Sequence, residues 1–367
     1  MAQFEQNYLQ FLRFCLDDGL PLPASVKDID WVMLMDWAKK QAIAGVIFGG
    51  ILRAGKTLNI PFKSLMEWTG YALQVEHQNK LLNKCCVEVV KEYQSAGFKC
   101  VILKGQGNAL MYPNPLLRNC GDIDLLVTNK SRQEITRFVK GHQSLTGHHF
   151  HHIEYKEDGL PVEVHFYACT MNNPIYKRRL NKWLAARSNG VEKALPDEKG
   201  HIPVPTAEFN VVFLLAHMMH HFFDEGIGLR QFVDYYYLLK ANKELEGVRG
   251  SYRSAQGVKG QYHETLSKLN LYKFAGAVMY VMREVFHLEE QYMIAPVDEW
   301  RGKTLLNEIL KGGNFGRSSN LDQNSAARKY FQKTVRNMHF VWQYPAEALC
   351  EPFFRTWHFF WRMAHRS

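Results

Sequence analysis

The amino-acid sequence predicts an α+β protein in which a small mixed β-sheet is flanked by helical domains at both ends of the chain. Three observations support this prediction: helical spacing of apolar residues before residue 95, short β-branched runs between 96 and 185, and helical spacing again from about 206. We therefore expect an N-terminal helical region over 1–95, a core over 96–185 and a C-terminal helical domain over 186–367.

The N-terminal region contains two long stretches in which apolar and polar residues recur at helical spacing. These stretches are Asp30–Leu52 and Phe62–Tyr93. Pro61 precedes the second stretch and the sequence Ser-Ala-Gly at 95–97 follows it, so both of its ends carry helix-boundary residues. No residue in this region indicates a particular chemistry.

The central region alternates predicted strands and helices. Phe98–Leu103 and Asp122–Val127 are short apolar runs typical of strands, and Ser131–Gly141 is predicted as a helix capped by its serine. Phe150–Lys156 and Leu160–Ala168 are two further predicted strands. An acidic pair followed by glycine separates them, which is a hairpin signal.

The C-terminal region is helical in pattern. Its first part, Ala207–Lys240, contains two amphipathic segments that divide near Gly226 and Gly228. Further helices are expected over 261–287, 302–311 and 325–365. The stretch 241–260 is rich in Gly, Ser, Lys and Arg, so we predict a loop there.

Composition limits the class of protein but does not select a function. Hydrophobic residues make up 46% of the 367 residues and charged residues 22%, as in ordinary globular proteins. Seven cysteines without CxxC spacing argue against a disulfide framework or a structural zinc site. No long apolar run or signal sequence is evident, so we expect a cytoplasmic protein. The net charge of +9 favours anionic partners such as nucleotides, nucleic acids, acidic sugars or membrane surfaces.

Two carboxylates in one predicted strand are the most informative feature. Asp122 and Asp124 are two residues apart, so their side chains share one face of the strand, about 5–7 Å apart. Such a pair repels unless a cation lies between the carboxylates, and Mg²⁺ prefers carboxylate oxygens. Glu163, with His165 on the same strand face, lies on the second arm of the hairpin and can complete a two-metal site. We expect the three carboxylates within roughly 4–6 Å of one another, with at least one raised pKa.

The wider pattern around these carboxylates resembles uncharacterised bacterial nucleotidyltransferases of the DNA-polymerase-β-like superfamily. Their pattern is an apolar strand ending in Lys-Gly, a tyrosine and proline, an arginine, a Gly-Asp-Ile-Asp-Leu-Leu-Val strand and a later Glu-x-His strand. The matching residues are Lys104, Gly105, Tyr112, Pro113, Arg118, Gly121, Asp122, Asp124, Glu163 and His165. The resemblance implies that 96–185 is a nucleotidyltransferase core.

The resemblance also implies a reaction: transfer of a nucleoside monophosphate from a nucleoside triphosphate to an acceptor hydroxyl, with two Mg²⁺ ions. Asp122 and Asp124 are then ligands of both ions, and Glu163 mainly of the ion that activates the acceptor. Lys104 and Arg118 are expected to neutralise charge on the triphosphate. The acceptor and the base of the donor nucleotide stay open.

Some expected site residues depart from the wider superfamily or lie outside the core. That superfamily usually has Gly-Ser where this chain has Lys104-Gly105, so Lys104 would replace a hydroxyl with a charge, while Gly105 still allows close backbone approach. Arg230 and Asp234 are spaced for an ordinary helix salt bridge. His217, Arg230 or Asp234 can alternatively line the nucleotide cleft, and we include Arg230 among the expected phosphate-binding residues.

Two histidine groups have both a structural and a metal-binding interpretation. His148, His149, His151 and His152 form a cluster, but strand alternation would place them on two faces, which favours a solvated strand end over a metal site. A second pair, His217 and His221, shares a helix face as zinc ligands do. No glutamate lies between them, so a zinc-protease site is disfavoured.

Two other functions remain open, and so does the role of the C-terminus. The fold can serve a catalytically silent nucleotide-binding or regulatory protein, or a basic module that binds nucleic acid, although clustered basic and aromatic residues are few. Residues 351–367 are aromatic and basic. They fit either a helix docked on the protein or peripheral contact with an anionic membrane.

Overall fold

The computed structural model describes residues 3–196, 199–241, 261–313 and 326–364. Nearly all of the loop predicted over 241–260 falls outside these ranges. Within the described ranges, no helix is long and apolar enough to cross a membrane.

The described residues form helices and strands that we number in chain order. The α-helices are α1 (Gln3–Leu16), α2 (Trp31–Lys40), α3 (Ala44–Ala54), α4 (Phe62–Ser95), α5 (Gly105–Ala109), α6 (Arg132–His142), α7 (Pro174–Ala185), α8 (Ala207–Phe223), α9 (Leu229–Ala241), α10 (Gln261–Lys268), α11 (Tyr272–Phe286), α12 (Glu299–Gly312), α13 (Ala326–Met338) and α14 (Pro345–Ala364). The strands are β1 (Cys100–Ile102), β2 (Ile123–Val127), β3 (Leu145–His148), β4 (His152–Glu157), β5 (Leu160–His165), β6 (Gly190–Ala194) and β7 (His201–Pro205). Short 3₁₀ turns lie at Ala24–Asp28, Gly55–Thr57, Pro115–Leu117 and Glu290–Tyr292.

Five strands form one mixed sheet in the order β1-β2-β5-β4-β3. The β2–β5 pair is parallel, whereas the other three pairs are antiparallel. Helices precede and follow this sheet along the chain, so the predicted α+β class is confirmed.

Local sequence signals account for the helix and the hairpin of the core. Ser131 caps α6 in a capping box with Glu134, as its position before an amphipathic run predicts. The β4–β5 hairpin turns at Asp158 and Gly159, which both have positive φ, 50° and 81°. These two residue types adopt that conformation readily, so the predicted hairpin is confirmed.

The two faces of the sheet differ in composition because side chains alternate along each strand. Ile123, Leu125 and Val127 of β2 pack into a core with residues of α4 and α6. Asp124, which lies between them in sequence, therefore projects from the opposite face. That face is turned toward the helices of the C-terminal half rather than toward the core under α4.

A second sheet of two antiparallel strands, β6 and β7, follows α7. Ile202 and Val204 of β7 share the core that contains Ile102 of β1. These two strands and β3 were not predicted from the sequence. All five residues of β6 are exposed, so this strand lacks the apolar alternation by which half-buried strands are recognised.

Candidate active site

Strand pairing brings the three predicted carboxylates together on one face of the sheet. Asp124 of β2 is the register partner of Glu163 in the neighbouring parallel strand β5. Asp122 immediately precedes β2 and is two residues from Asp124. One carboxylate oxygen from each of the three residues lies within 4.8 Å of the others. This separation agrees with the 4–6 Å expected of a shared cation site.

Two basic side chains contact the carboxylates directly. Lys104 Nζ lies 2.8 Å from Asp124 Oδ1, and His165 Nε2 lies 3.0 Å from the same oxygen. His165 Nε2 is also 3.3 Å from Glu163 Oε2. Asp124 is 1% exposed, so its charge depends on these two partners.

The two aspartates respond to this environment in opposite directions. Repulsion by Asp124, reinforced by burial, raises the pKa of Asp122 to about 6. Burial opposes the charge on Asp124, but Lys104 and the hydrogen bond with His165 hold its pKa below the usual value. The raised pKa expected from crowding therefore belongs to Asp122.

The remaining three groups of the cluster stay charged. Burial opposes the charge on Glu163, yet its hydrogen bond with His165 lowers its pKa. Burial likewise opposes the charge on Lys104, but the nearby carboxylates, chiefly Asp124, raise its pKa above the usual value. His165 behaves similarly, because bonds to Asp124 and Glu163 outweigh burial and raise its pKa to about 9.

The Lys-Gly pair lies at the turn between β1 and α5, beside the carboxylates. Gly105 has a φ of 49°, and a Cβ added there would lie 3.1 Å from the carbonyl oxygen of Asp122. Glycine therefore satisfies both the backbone conformation and the close approach. Lys104 Nζ also lies 3.1 Å from Nε2 of His217 on α8. This turn thus connects the carboxylates to the C-terminal helices.

Arg118 is buried and bound to Asp234 of α9 rather than exposed on a loop. Its Nε and Nη2 atoms donate to the two carboxylate oxygens of Asp234, each at 2.7 Å. Tyr112 and Asn108 donate to the same carboxylate. The two guanidinium nitrogens of Arg118 that could bind a phosphate are therefore bound to a carboxylate. Local spacing in the sequence predicted a pair between Arg230 and Asp234 instead. The observed partner, Arg118, is 116 residues from Asp234 in sequence, so local spacing could not predict it.

Arg230 occupies a different position near the carboxylates. Its Nη1 donates to the carbonyl oxygen of Asn119 at 2.9 Å, and its charge opposes the rise in the pKa of Asp122 that Asp124 causes. The side chain also lines the cavity in front of the sheet.

A cavity of about 580 Å³ lies against the carboxylate face of the sheet. Helices α8, α9, α13 and α14 contribute the opposite wall. Its lining includes Lys104, Gly105, Arg118, Asp122, Asp124, Glu163, His165, His217 and Arg230. All the residues predicted from the sequence to bind metal or phosphate thus line one space, which is large enough for a nucleotide-sized ligand.

The donor atoms around the carboxylates fit a metal ion. Asp122, Asp124 and Glu163 offer hard oxygen ligands, which magnesium prefers. Oδ2 of Asp124 is buried and has no hydrogen-bond partner among the described residues. A buried carboxylate oxygen without a hydrogen-bond partner, in a residue grouped with two other carboxylates, is the arrangement that a cation would satisfy.

Sequence comparison assigns the chain to a family. Residues 27–287 match the family described as uncharacterised nucleotidyltransferases. The chain belongs to this family. The match includes helices α2 to α4, the five-stranded sheet and the described helices through α11, but not α1.

Other comparisons add little to the family assignment. No curated protein matches by sequence. Among solved structures, this nucleotidyltransferase-family chain is similar to an antigenic nucleotidyltransferase-like protein from Paracoccidioides brasiliensis. The two are 12% identical, the alignment covers 60% of this chain and 95% of that one, and the TM-score is 0.36.

A histidine cluster for which the sequence favoured a solvated strand end is part of this site. His149, His151 and His152 line the cavity, and Glu154 lies beside them. The expectation that alternation separates His149 from His152 is wrong, because a turn between β3 and β4 brings their rings to a centroid distance of 4.6 Å. The spacing His-x-x-His-x-Glu was the signal that could have identified this group.

Proposed function

We propose that this nucleotidyltransferase moves a nucleoside monophosphate from a triphosphate to an acceptor hydroxyl, with Mg²⁺ held by Asp122, Asp124 and Glu163. One observation carries the proposal. Asp124 and Glu163 are register partners on adjacent parallel strands, and Asp122 brings a third carboxylate within 4.8 Å. Three converging carboxylates are costly to maintain without a cation, which favours a metal-binding role over a structural one.

The three carboxylates have distinct positions in this mechanism. Asp122 and Asp124, on one strand, would hold both ions, and Glu163 would hold mainly the one beside the acceptor. When bound, two ions would activate the acceptor oxygen and neutralise charge on the phosphates. Asp124 is the most deeply buried of the three, so it fixes the position of the site against the sheet.

Basic residues around the cavity would orient the triphosphate. Lys104 supplies a positive charge next to the carboxylates, Gly105 lets the backbone approach, and Arg230 lies on the facing helix. For Arg118 we propose a positioning role, because Asp234 occupies its guanidinium. The ion pair would hold the segment before β2 against α9, and through it the position of Asp122.

Nucleotide binding tests the proposal without knowledge of the acceptor. The full chain, treated with chelator, is titrated calorimetrically with ATP, GTP, CTP and UTP, each with and without Mg²⁺. We expect at least one triphosphate to bind only with Mg²⁺, and Asp122→Asn to weaken that binding by at least tenfold. Asp158→Asn is the matched control, because it makes the same change in an exposed hairpin turn outside the cavity.

Transfer itself is followed as pyrophosphate release when candidate acceptors are added, including sugars, protein hydroxyls and RNA ends. Triphosphate binding of equal strength in chelator and in Mg²⁺ would overturn the metal-bridged site. Metal-dependent binding without transfer to any acceptor class would favour a silent regulatory protein. Salt-dependent oligonucleotide binding that ignores both Mg²⁺ and triphosphate would instead indicate a nucleic-acid-binding module.

A further inference from the structure

A turn between β3 and β4 places two histidines side by side at the edge of the cavity. The backbone N–H of His149 donates to the carbonyl oxygen of His152 at 2.9 Å, which closes the turn. Glu154 follows His152 by two residues on β4, so both side chains lie on the same face of the sheet. Three side chains with metal-binding atoms therefore converge through local backbone geometry alone.

The spacing of these atoms fits a small metal ion. Nε2 of His149 lies 3.0 Å from Oε1 of Glu154, and Nε2 of His152 lies 2.9 Å from the same oxygen. Ligands around a tetrahedral ion with bonds of 2.0–2.1 Å are about 3.3 Å apart. An outward shift of a few tenths of an ångström would therefore convert this cluster into a coordination shell.

A fourth ligand is available from the C-terminal helix. His358 of α14 has its ring centroid 6.3 Å from that of His149, and its Nε2 is buried without a hydrogen-bond partner among the described residues. His152 is 7% exposed, and its Nδ1 lies 3.9 Å from Oε2 of Glu163, so Nε2 is the nitrogen available to this cluster. Buried polar nitrogens without partners are uncommon in stable folds, so the unpartnered Nε2 of His358 indicates a missing ligand.

We propose that His149, His152 and Glu154 form a second metal site, which binds a divalent transition-metal ion such as Zn²⁺, with His358 as a fourth ligand. Two imidazoles and one carboxylate select this class of ion, whereas Mg²⁺ prefers the all-oxygen set of the catalytic carboxylates. Coordination by His358 would tie α14 to the sheet across the cavity. The site would thereby order the wall opposite the proposed catalytic carboxylates. This inference does not depend on the proposed transferase activity.

Cobalt provides a direct test, because tetrahedral Co²⁺ absorbs visible light. Chelator-treated full-length protein is titrated with Co²⁺, and Zn²⁺ is then added to displace it. We expect the protein to bind one equivalent of Co²⁺ with a tetrahedral spectrum. This spectrum should persist in millimolar Mg²⁺ and in the Asp122→Asn variant. His149→Ala should weaken Co²⁺ binding by at least tenfold. His201→Ala is the matched control, because His201 is exposed on β7 and outside the cavity.

Two further variants keep the test decisive if a histidine substitution disturbs folding. A Cβ at Gly147 would lie 2.5 Å from Oε2 of Glu154, so Gly147→Ala should displace the carboxylate and weaken Co²⁺ binding with all ligands present. His358→Ala should change the spectrum and lower the affinity. Retained binding in both His149→Ala and Gly147→Ala would overturn the site. So would a tetrahedral spectrum that disappears in Asp122→Asn or in His217→Ala, since the ion would then lie elsewhere in the cavity.

Discussion

Replacing Asp122 with asparagine should stabilise the metal-free protein while removing metal-dependent nucleotide binding. Asp122 is repelled by Asp124, whereas Asp124 is bound by Lys104 and His165. Removing the charge at 122 relieves repulsion without breaking an ion pair. Asp124→Asn should have the opposite effect on stability, because it leaves the buried His165 and the half-buried Lys104 with less compensation.

The pKa of Asp122 sets the size and sign of the effect. It is raised from 3.8 to about 6 in the folded protein, so the folded state holds the Asp122 proton more tightly than the unfolded state does. Wild-type stability is therefore lost as pH rises from about 4 through 6, by at most about 3 kcal/mol. The asparagine variant lacks this loss. The free energy of unfolding of the variant should equal that of the wild type near pH 4 and exceed it by about 1–3 kcal/mol at pH 8.

Thermal unfolding in chelator at pH 4 and pH 8 measures this difference. For a chain of this length, 3 kcal/mol corresponds to about 4 °C in the unfolding midpoint. Adding Mg²⁺ at pH 8 should raise the midpoint of the wild type above that of Asp122→Asn, because only the wild type gains stability from the ion. Asp158→Asn serves as the control, and its midpoint should follow the wild type under all conditions.

Two results would refute this reasoning. If Asp122→Asn lowered the midpoint equally at pH 4 and pH 8, Asp122 would be a structural hydrogen-bonding residue rather than a repelled carboxylate. If Mg²⁺ stabilised the variant as much as the wild type, the ion would bind elsewhere.

Three other substitutions test the surroundings of the site. Lys104→Met, which keeps the length of the aliphatic chain, should weaken triphosphate binding about tenfold in calorimetry, because it removes a charge next to Asp124. Arg118→Met should lower the free energy of unfolding by about 3–5 kcal/mol in urea titrations, since it leaves the buried carboxylate of Asp234 unpaired. Burial raises the pKa of Glu347 to about 7, so wild-type stability falls as pH rises from about 4.5 through 7. Glu347→Gln should remove this pH dependence, because glutamine does not ionise. Its amide nitrogen cannot accept a hydrogen bond, so one of the two backbone N–H bonds from Asn172 and Asn173 is lost at every pH, and thermal unfolding at pH 4.5 and pH 8 separates the two effects.

Features that depend on neighbouring residues were predictable from the sequence. The serine cap of α6 and the turn of the β4–β5 hairpin follow from side chains within a few positions of the backbone they determine. The common face of Asp122 and Asp124 follows from strand alternation in the same way. Their meeting with Glu163 required the parallel pairing of β2 and β5, which periodicity alone does not reveal.

Features that depend on distant contacts were not predictable. Asp234 has an arginine four residues before it, so local spacing predicted a helix salt bridge with Arg230. The fold instead brings Arg118 from before β2, where two guanidinium nitrogens fit both carboxylate oxygens. A buried bidentate pair excludes water and is much stronger than an exposed helix pair, so tertiary packing decided the partner.

The histidine cluster shows how one wrong secondary-structure assumption changes a functional conclusion. Treating residues 150–156 as a continuous strand separated His149 from His152 by alternation. The structure begins β4 at His152 and places His149 in a turn, where alternation does not apply. A β-turn brings its first and fourth residues within about 7 Å, so the same spacing becomes favourable for a shared ligand.

The charges on the cavity face of the sheet extend across three strands in register. Glu163 of β5 lies between Asp124 of β2 and Glu154 of β4, so three carboxylates occupy neighbouring positions in one row. Like charges directly opposite one another destabilise a sheet, and apolar residues there would make a more stable core. Basic groups contact each end of the row: Lys104 at Asp124, and histidines at Glu154. Such a row is costly for stability, which supports the proposal that it binds cations.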